Sequence, residues 1–284
     1  MGAGFSGGSL AVFTALAPAG AVAFAIAAAF VATHRDMPPA SRDALSHWLI
    51  VPLGATWAGF IASATHLGTP ANALHAVEGV GRSPLSNEVV AVVAFLFFAG
   101  MYWLYTFKAS YSCRCADVLA VLSIVSCIAM VCMMALAYSV PTVPSWDTWH
   151  APANLCLSAL AGGLPLAAAV LHAFAPDTCR WHAALLRVAP VAIAACAATM
   201  ACYAVYLGGV RNNVASAADA GALYGAAVAA FLVLSGAGWF VQRTFRASSG
   251  MRARVADACA CALVLAAVLL ARLPFYAAYL SAGF

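Results

Sequence analysis

The chain is 284 residues long, 65% hydrophobic and 8% charged, with a formal net charge of +4 at pH 7. Soluble domains carry about 25% charged residues, so this composition excludes a water-exposed domain, and residues 1–284 read as a single integral membrane domain. The small positive excess falls at helix ends, and no basic segment with interleaved aromatics points to nucleic acid.

Eight apolar runs follow in chain order, at 10–32, 46–65, 88–107, 116–137, 153–174, 185–207, 220–242 and 255–280. Each is near the ~20 residues a helix needs to cross about 30 Å of hydrocarbon. The expected fold is therefore an all-α, polytopic bundle of eight transmembrane helices in the lipid bilayer. Of the thirteen Lys and Arg residues, ten lie in alternate connections: Arg35 and Arg42, Lys108 and Arg114, Arg180 and Arg187, then Arg243, Arg246, Arg252 and Arg254. The positive-inside rule puts these connections in the cytoplasm and both termini outside, in the cell inner (cytoplasmic) membrane. Met1 to Ser9 carries no Lys or Arg, unlike the basic front of a cleavable signal peptide, so the first run is expected to stay as a helix. Met1-Gly2 with Ser6 matches a myristoylation pattern, but one acyl anchor adds little to eight spans.

Polar groups that hydrocarbon penalises are the place to look for chemistry. At the end of the second run, Gly68 can supply a left-handed cap and Pro70 stops the helix, leaving His66 in or beside the last turn. Ser83-Pro84 reads as an N-cap followed by a first-turn proline, which puts Glu88 within about a turn of a helix start. Helix-end electrostatics, worth about 0.3–1 kcal/mol, would account for either residue alone. Together, an imidazole and a carboxylate at one depth can line one pocket. The fourth connection adds Tyr138, Trp146, Trp149 and His150 among prolines, an arrangement that an interfacial aromatic belt would also produce. Arg272 lies inside the last run, where a cation either snorkels to the interface or pairs with a buried carboxylate, for which Glu88 is nearest by depth.

The ten cysteines are scattered without a C-x-x-C pair, so they read as packing residues, and no metal site is expected in this chain. Gly4-x-x-x-Gly8 and Gly221-x-x-x-Gly225 offer close helix approach, and Gly162-Gly163 before Pro165 offers the same.

His66-Leu67-Gly68-Thr69-Pro70, Leu85-Ser86-Asn87-Glu88, Thr142-Val143-Pro144-Ser145-Trp146 and Gly162-Gly163-x-Pro165-Leu166 together resemble the DmsC family, the membrane anchor subunits of dimethyl sulfoxide reductase-type complexes. The similarity covers essentially the whole chain. It implies a haem-free anchor that binds and oxidises menaquinol and passes electrons to an iron–sulfur subunit, which feeds a molybdopterin catalytic subunit in anaerobic respiration. His66 and Glu88 match the family's quinol-site positions, and Arg272, Trp146 and Tyr138 are the further candidates for contacting the quinone. The chain departs from the family in being rich in Ala and Cys and in its short 34–44 connection, which leaves the terminal acceptor open.

Quinol oxidation releases two electrons and two protons, so a site needs an apolar slot, polar groups at the ring oxygens and a base. His66 is the candidate for holding one oxygen and Glu88 for taking a proton. Burial favours the protonated carboxyl and the helix start favours the carboxylate. A haem-bearing cytochrome anchor is one alternative. It would need two histidines from facing helices, yet His34, His47, His172 and His182 fall at the basic rim and His66, His75 and His150 at the other. A polytopic solute transporter is another, and it would show broken helices near the midplane. A purely structural anchor is the third. The outward connections, at most about 20 residues each, cannot fold a catalytic or iron–sulfur domain, so terminal reduction needs partners. Those connections are net acidic, with Glu78, Glu88, Asp147 and Asp219 against Arg82 and Arg211, and form the expected docking rim.

Overall fold

The computed structural model describes residues 3–65, 75–108, 112–174, 179–211 and 217–279. Among them the protein forms helices and no strand: α1 (Ala3–Thr33), α2 (Pro39–Trp48), α3 (Ile50–Ala64), α4 (His75–Glu78), α5 (Pro84–Tyr105), α6 (Cys113–Ala137), α7 (His150–Phe174), α8 (Cys179–Gly209), α9 (Ala218–Phe245) and α10 (Gly250–Ala277). Eight stretches of the described residues are long and apolar enough to cross a membrane, α2 and α3 together making the second. The chain is a multi-pass membrane protein.

Most helices outrun their apolar cores. Helix α8 begins at Cys179, so Arg187 rides on its early turns and its Nε donates to the Ala183 carbonyl at 3.2 Å. The second span is broken at Leu49, which ends α2 and opens α3. Pro38 and Pro39 start α2, a segment whose polar residues include Arg42 and Asp43 while Leu45 and Ser46 are buried.

Helices α1 and α7 form the centre of the bundle, 72% and 78% buried over their apolar windows, against 28–50% for the other spans. Small residues permit this. A Cβ at Gly20 of α1 would sit 2.5 Å from the Pro52 carbonyl of α3, and one at Gly163 of α7 would sit 2.6 Å from Val22 of α1. The close approach expected of Gly162-Gly163 is therefore present. Of the GxxxG glycines, Gly8 and Gly225 face open space.

Successive spans run in opposite directions, which gathers the ends carrying the ten cations on one rim. There Arg35 pairs with Asp117. Deeper in the same rim, His172 of α7 places Nδ1 2.7 Å from Asp257 of α10 and Nε2 3.2 Å from the Ser248 carbonyl. The His182 ring of α8 stacks on His172 at 4.6 Å. This cluster ties three helices and the α9–α10 turn.

Candidate functional site

Sequence-local chemistry builds the start of α5. Gly81 turns the backbone with φ +81°, a conformation that side chains resist, and its N–H donates to Asn87 Oδ1 at 2.7 Å. The Ser86 N–H donates to Ser83 Oγ at 3.4 Å, the expected N-cap, with Pro84 in the first turn. The Leu85-Ser86-Asn87-Glu88 segment thus has a division of labour. Leu85 is exposed on the outer face of the bundle, Asn87 braces the turn, and Glu88 points inward.

Glu88 is 2% exposed, and its Oε1 has no hydrogen-bond partner among the described residues. This corrects its assignment to a docking rim, since a fully buried carboxyl cannot meet a protein partner. Glu78, Arg82, Asp147 and Arg211 are exposed, and the Asp219 side chain lies outside those described.

Tyr138, just past the end of α6, lies within electrostatic reach of Glu88. Burial pushes its phenol well above the ordinary range, the neighbouring Tyr276 and Glu88 add to the rise, and Arg272 opposes it. Tyr138 is therefore a neutral hydroxyl at any working pH. It meets Tyr276 edge to face at 5.8 Å, and the Tyr276 hydroxyl lies 3.1 Å from Thr14 Oγ1 and donates to the Leu10 carbonyl at 3.3 Å.

Arg272 neither snorkels nor pairs with Glu88. It is 4% exposed, and its Nη2 donates to Ser158 Oγ at 2.6 Å and to the Asn154 carbonyl at 3.3 Å, both on α7. The two residues share a depth but Arg272 faces another neighbour. Trp146 is likewise turned inward rather than set in an interfacial belt. It stacks on Phe275 at 4.9 Å with planes 10° apart, and its Nε1 donates to the Phe275 carbonyl at 3.0 Å. The rest of the Pro144-Ser145 segment is held by Tyr206 and Tyr203, whose hydroxyls donate to the Pro144 and Ser145 carbonyls at 3.2 and 2.7 Å.

The structure therefore brings Glu88, Tyr138, Trp146 and Arg272 to one end of the bundle, linked through Tyr138. His66 follows directly on Thr65, the residue closing α3, and lies outside the described residues. Sequence reasoning missed Asn154, Ser158 and Tyr276. The four-residue spacing of Asn154 and Ser158 within an apolar run was the available signal, because it sets both on one helix face.

The family model described as "DMSO reductase anchor subunit (DmsC)" matches residues 1–278. The protein belongs to the DmsC family. It is similar to the C subunit of the anaerobic dimethyl sulfoxide reductase of Haemophilus influenzae, 28% identical over 177 residues, or 62% of each protein. It is also similar to two Escherichia coli proteins. The YnfH subunit of an anaerobic dimethyl sulfoxide reductase is 40% identical over 57 residues, 20% of this protein and 18% of the relative. The C subunit of the anaerobic dimethyl sulfoxide reductase is 46% identical over 46 residues, 16% of each. The DmsC-family protein thus spans about three fifths of the length of the first relative and under a fifth of the other two. Family membership makes the eight-span bundle a membrane anchor. The four motifs it carries now have structural roles wherever they are described: a helix start, a loop clamp and a close helix contact.

Proposed function

We propose that this protein binds menaquinol at the Glu88 end of the bundle, oxidises it, and passes the electrons to an iron–sulfur partner subunit that serves a molybdopterin catalytic subunit. The observation that carries the reading is Glu88 itself, a carboxyl buried among helices with Oε1 unpartnered among the described residues. Leaving such an atom unmatched costs about 1–3 kcal/mol, more when charged, which a ligand hydroxyl would recover. In its carboxylate form Oε1 accepts the proton of a quinol hydroxyl, Tyr138 supplies a neutral donor nearby, and His66 holds the other ring oxygen. Trp146 with Phe275 stiffens the aromatic wall behind Tyr138. Each quinol gives up two protons and two electrons: one proton passes to Glu88, the other to bulk water at this end of the bundle, and the electrons leave through the partner subunit. The positive-inside rule applied to the basic rim supports an orientation with this site and the exposed Glu78 and Asp147 on the non-cytoplasmic side of the inner membrane, the side proposed for partner docking.

Two further observations favour this reading over its rivals. Both ring nitrogens of His172 are engaged by oxygen acceptors, so the His172–His182 pair has no geometry for axial haem ligation. Among the described residues the one interrupted span breaks at Leu49, near the basic rim rather than at mid-depth where a transporter breaks its helices.

The test is Glu88→Gln in the assembled complex. Quinol-dependent turnover should fall by about 10²-fold or more, while reduction driven by a soluble dye donor stays unchanged. His66→Arg should weaken binding of a quinol analogue. Unchanged quinol turnover and analogue binding in both variants would remove the site.

A further inference from the structure

Between α7, α8, α9 and α10 lies a small cavity lined by Asn154, Ser158, Cys196, Met200, Tyr224 and Arg272, with about 10 Å³ of free volume. That is room for about one water-sized body and far too little for a quinone ring. Asn154 and Arg272 are 5% and 4% exposed. Arg272 Nε and both amide atoms of Asn154 have no hydrogen-bond partner among the described residues. Ser158 is already committed, accepting from Arg272 Nη2 and donating to the Leu155 carbonyl at 3.0 Å.

The lining includes a guanidinium that keeps its charge at any working pH, and no Asp or Glu. A charge at this depth is weakly screened and calls for an opposite charge as well as a hydrogen-bond acceptor. Arg272 and Asn154 line the void and carry two unpartnered donors, Arg272 Nε–H and the Asn154 amide N–H, against one unpartnered acceptor, Asn154 Oδ1, with Cys196 and Met200 also in the lining. Water would meet the donors and leave the cation unmatched. The small volume favours a monatomic anion over an oxyanion or a ring. We propose that the cavity holds one halide ion, chloride in the natural setting, as the counter-ion of Arg272. The site locks α7 to α10 and does not depend on quinol chemistry at Glu88.

The test uses the full-length protein in detergent, heated in sodium chloride, sodium bromide and sodium gluconate at equal ionic strength. The unfolding midpoint should stand roughly 2–4 °C higher in both halides than in gluconate and saturate with halide concentration. Asn154→Leu and Arg272→Met should each abolish the difference. Crystals of the unmutated protein grown in bromide should give an anomalous peak beside Arg272 Nε, which decides the matter even if a variant does not fold. Equal midpoints in the three salts, an undiminished halide response in Asn154→Leu, or density there without anomalous signal, meaning water, would each overturn the proposal. Quinol turnover enters none of these readouts, so a failure here is separable from a failure of the Glu88 site.

Discussion

Glu88 and Asp257 are two carboxyls at opposite ends of the bundle, 2% and 4% exposed, and their surroundings differ in kind. Asp257 accepts a 2.7 Å bond from His172, whose other nitrogen reaches the Ser248 carbonyl, so that carboxyl is matched by a neighbouring helix. Glu88 keeps Oε1 unmatched among the described residues. Depth of burial is the same in both and marks neither as functional. What separates the two carboxyls is an unmatched oxygen on Glu88, where the quinol is proposed to bind, and a matched one on Asp257, which fastens helices.

The sharpest way to break that comparison is to neutralise each acid in turn. Glu88→Gln should leave assembly intact and cut quinol turnover by about 10²-fold or more, measured per assembled complex. Asp257→Leu should do the reverse. Stripping His172 of its buried partner should destabilise the bundle by about 3–5 kcal/mol, seen as a lower thermal midpoint, while turnover per assembled complex stays within about twofold. Equal turnover losses in both would erase the distinction. A smaller effect sharpens it by asking what packing alone contributes. Gly163→Leu, which drives a side chain into Val22, should lower the midpoint by an amount equivalent to about 1–3 kcal/mol and spare turnover per complex.

The spans were legible because hydrocarbon demands long apolar helices, and the start of α5 was legible because Ser83-Pro84 is a local signal. The break at Leu49 was not. Residues 39–48 form a polar-faced helix that a count of apolar residues passes over, and the next helix follows without a turn-forming sequence. Depth along a helix can be counted in residues, whereas the direction a side chain faces depends on which neighbour lies there. Of the two outcomes that counting left open for Arg272, snorkelling to the interface and pairing with Glu88, the side chain takes neither and turns to α7. The same blindness to direction left Trp146 open to an interfacial belt, when its indole N–H is spent on the Phe275 carbonyl, and gave no sign of the close contact at Gly20.

Of the described helices, α1 leaves the ribosome first, yet in the finished protein it is walled in by α3, α6, α7 and α10. Its alanine-lined flanks must wait in lipid until those neighbours have been made. Birth order and burial order therefore run opposite to each other, and α10, the latest of the described helices to be synthesised, is among those that shut the enclosure. A nascent polypeptide halted before α10 would expose to the bilayer and to quality-control proteases the side of α1 that the mature anchor conceals.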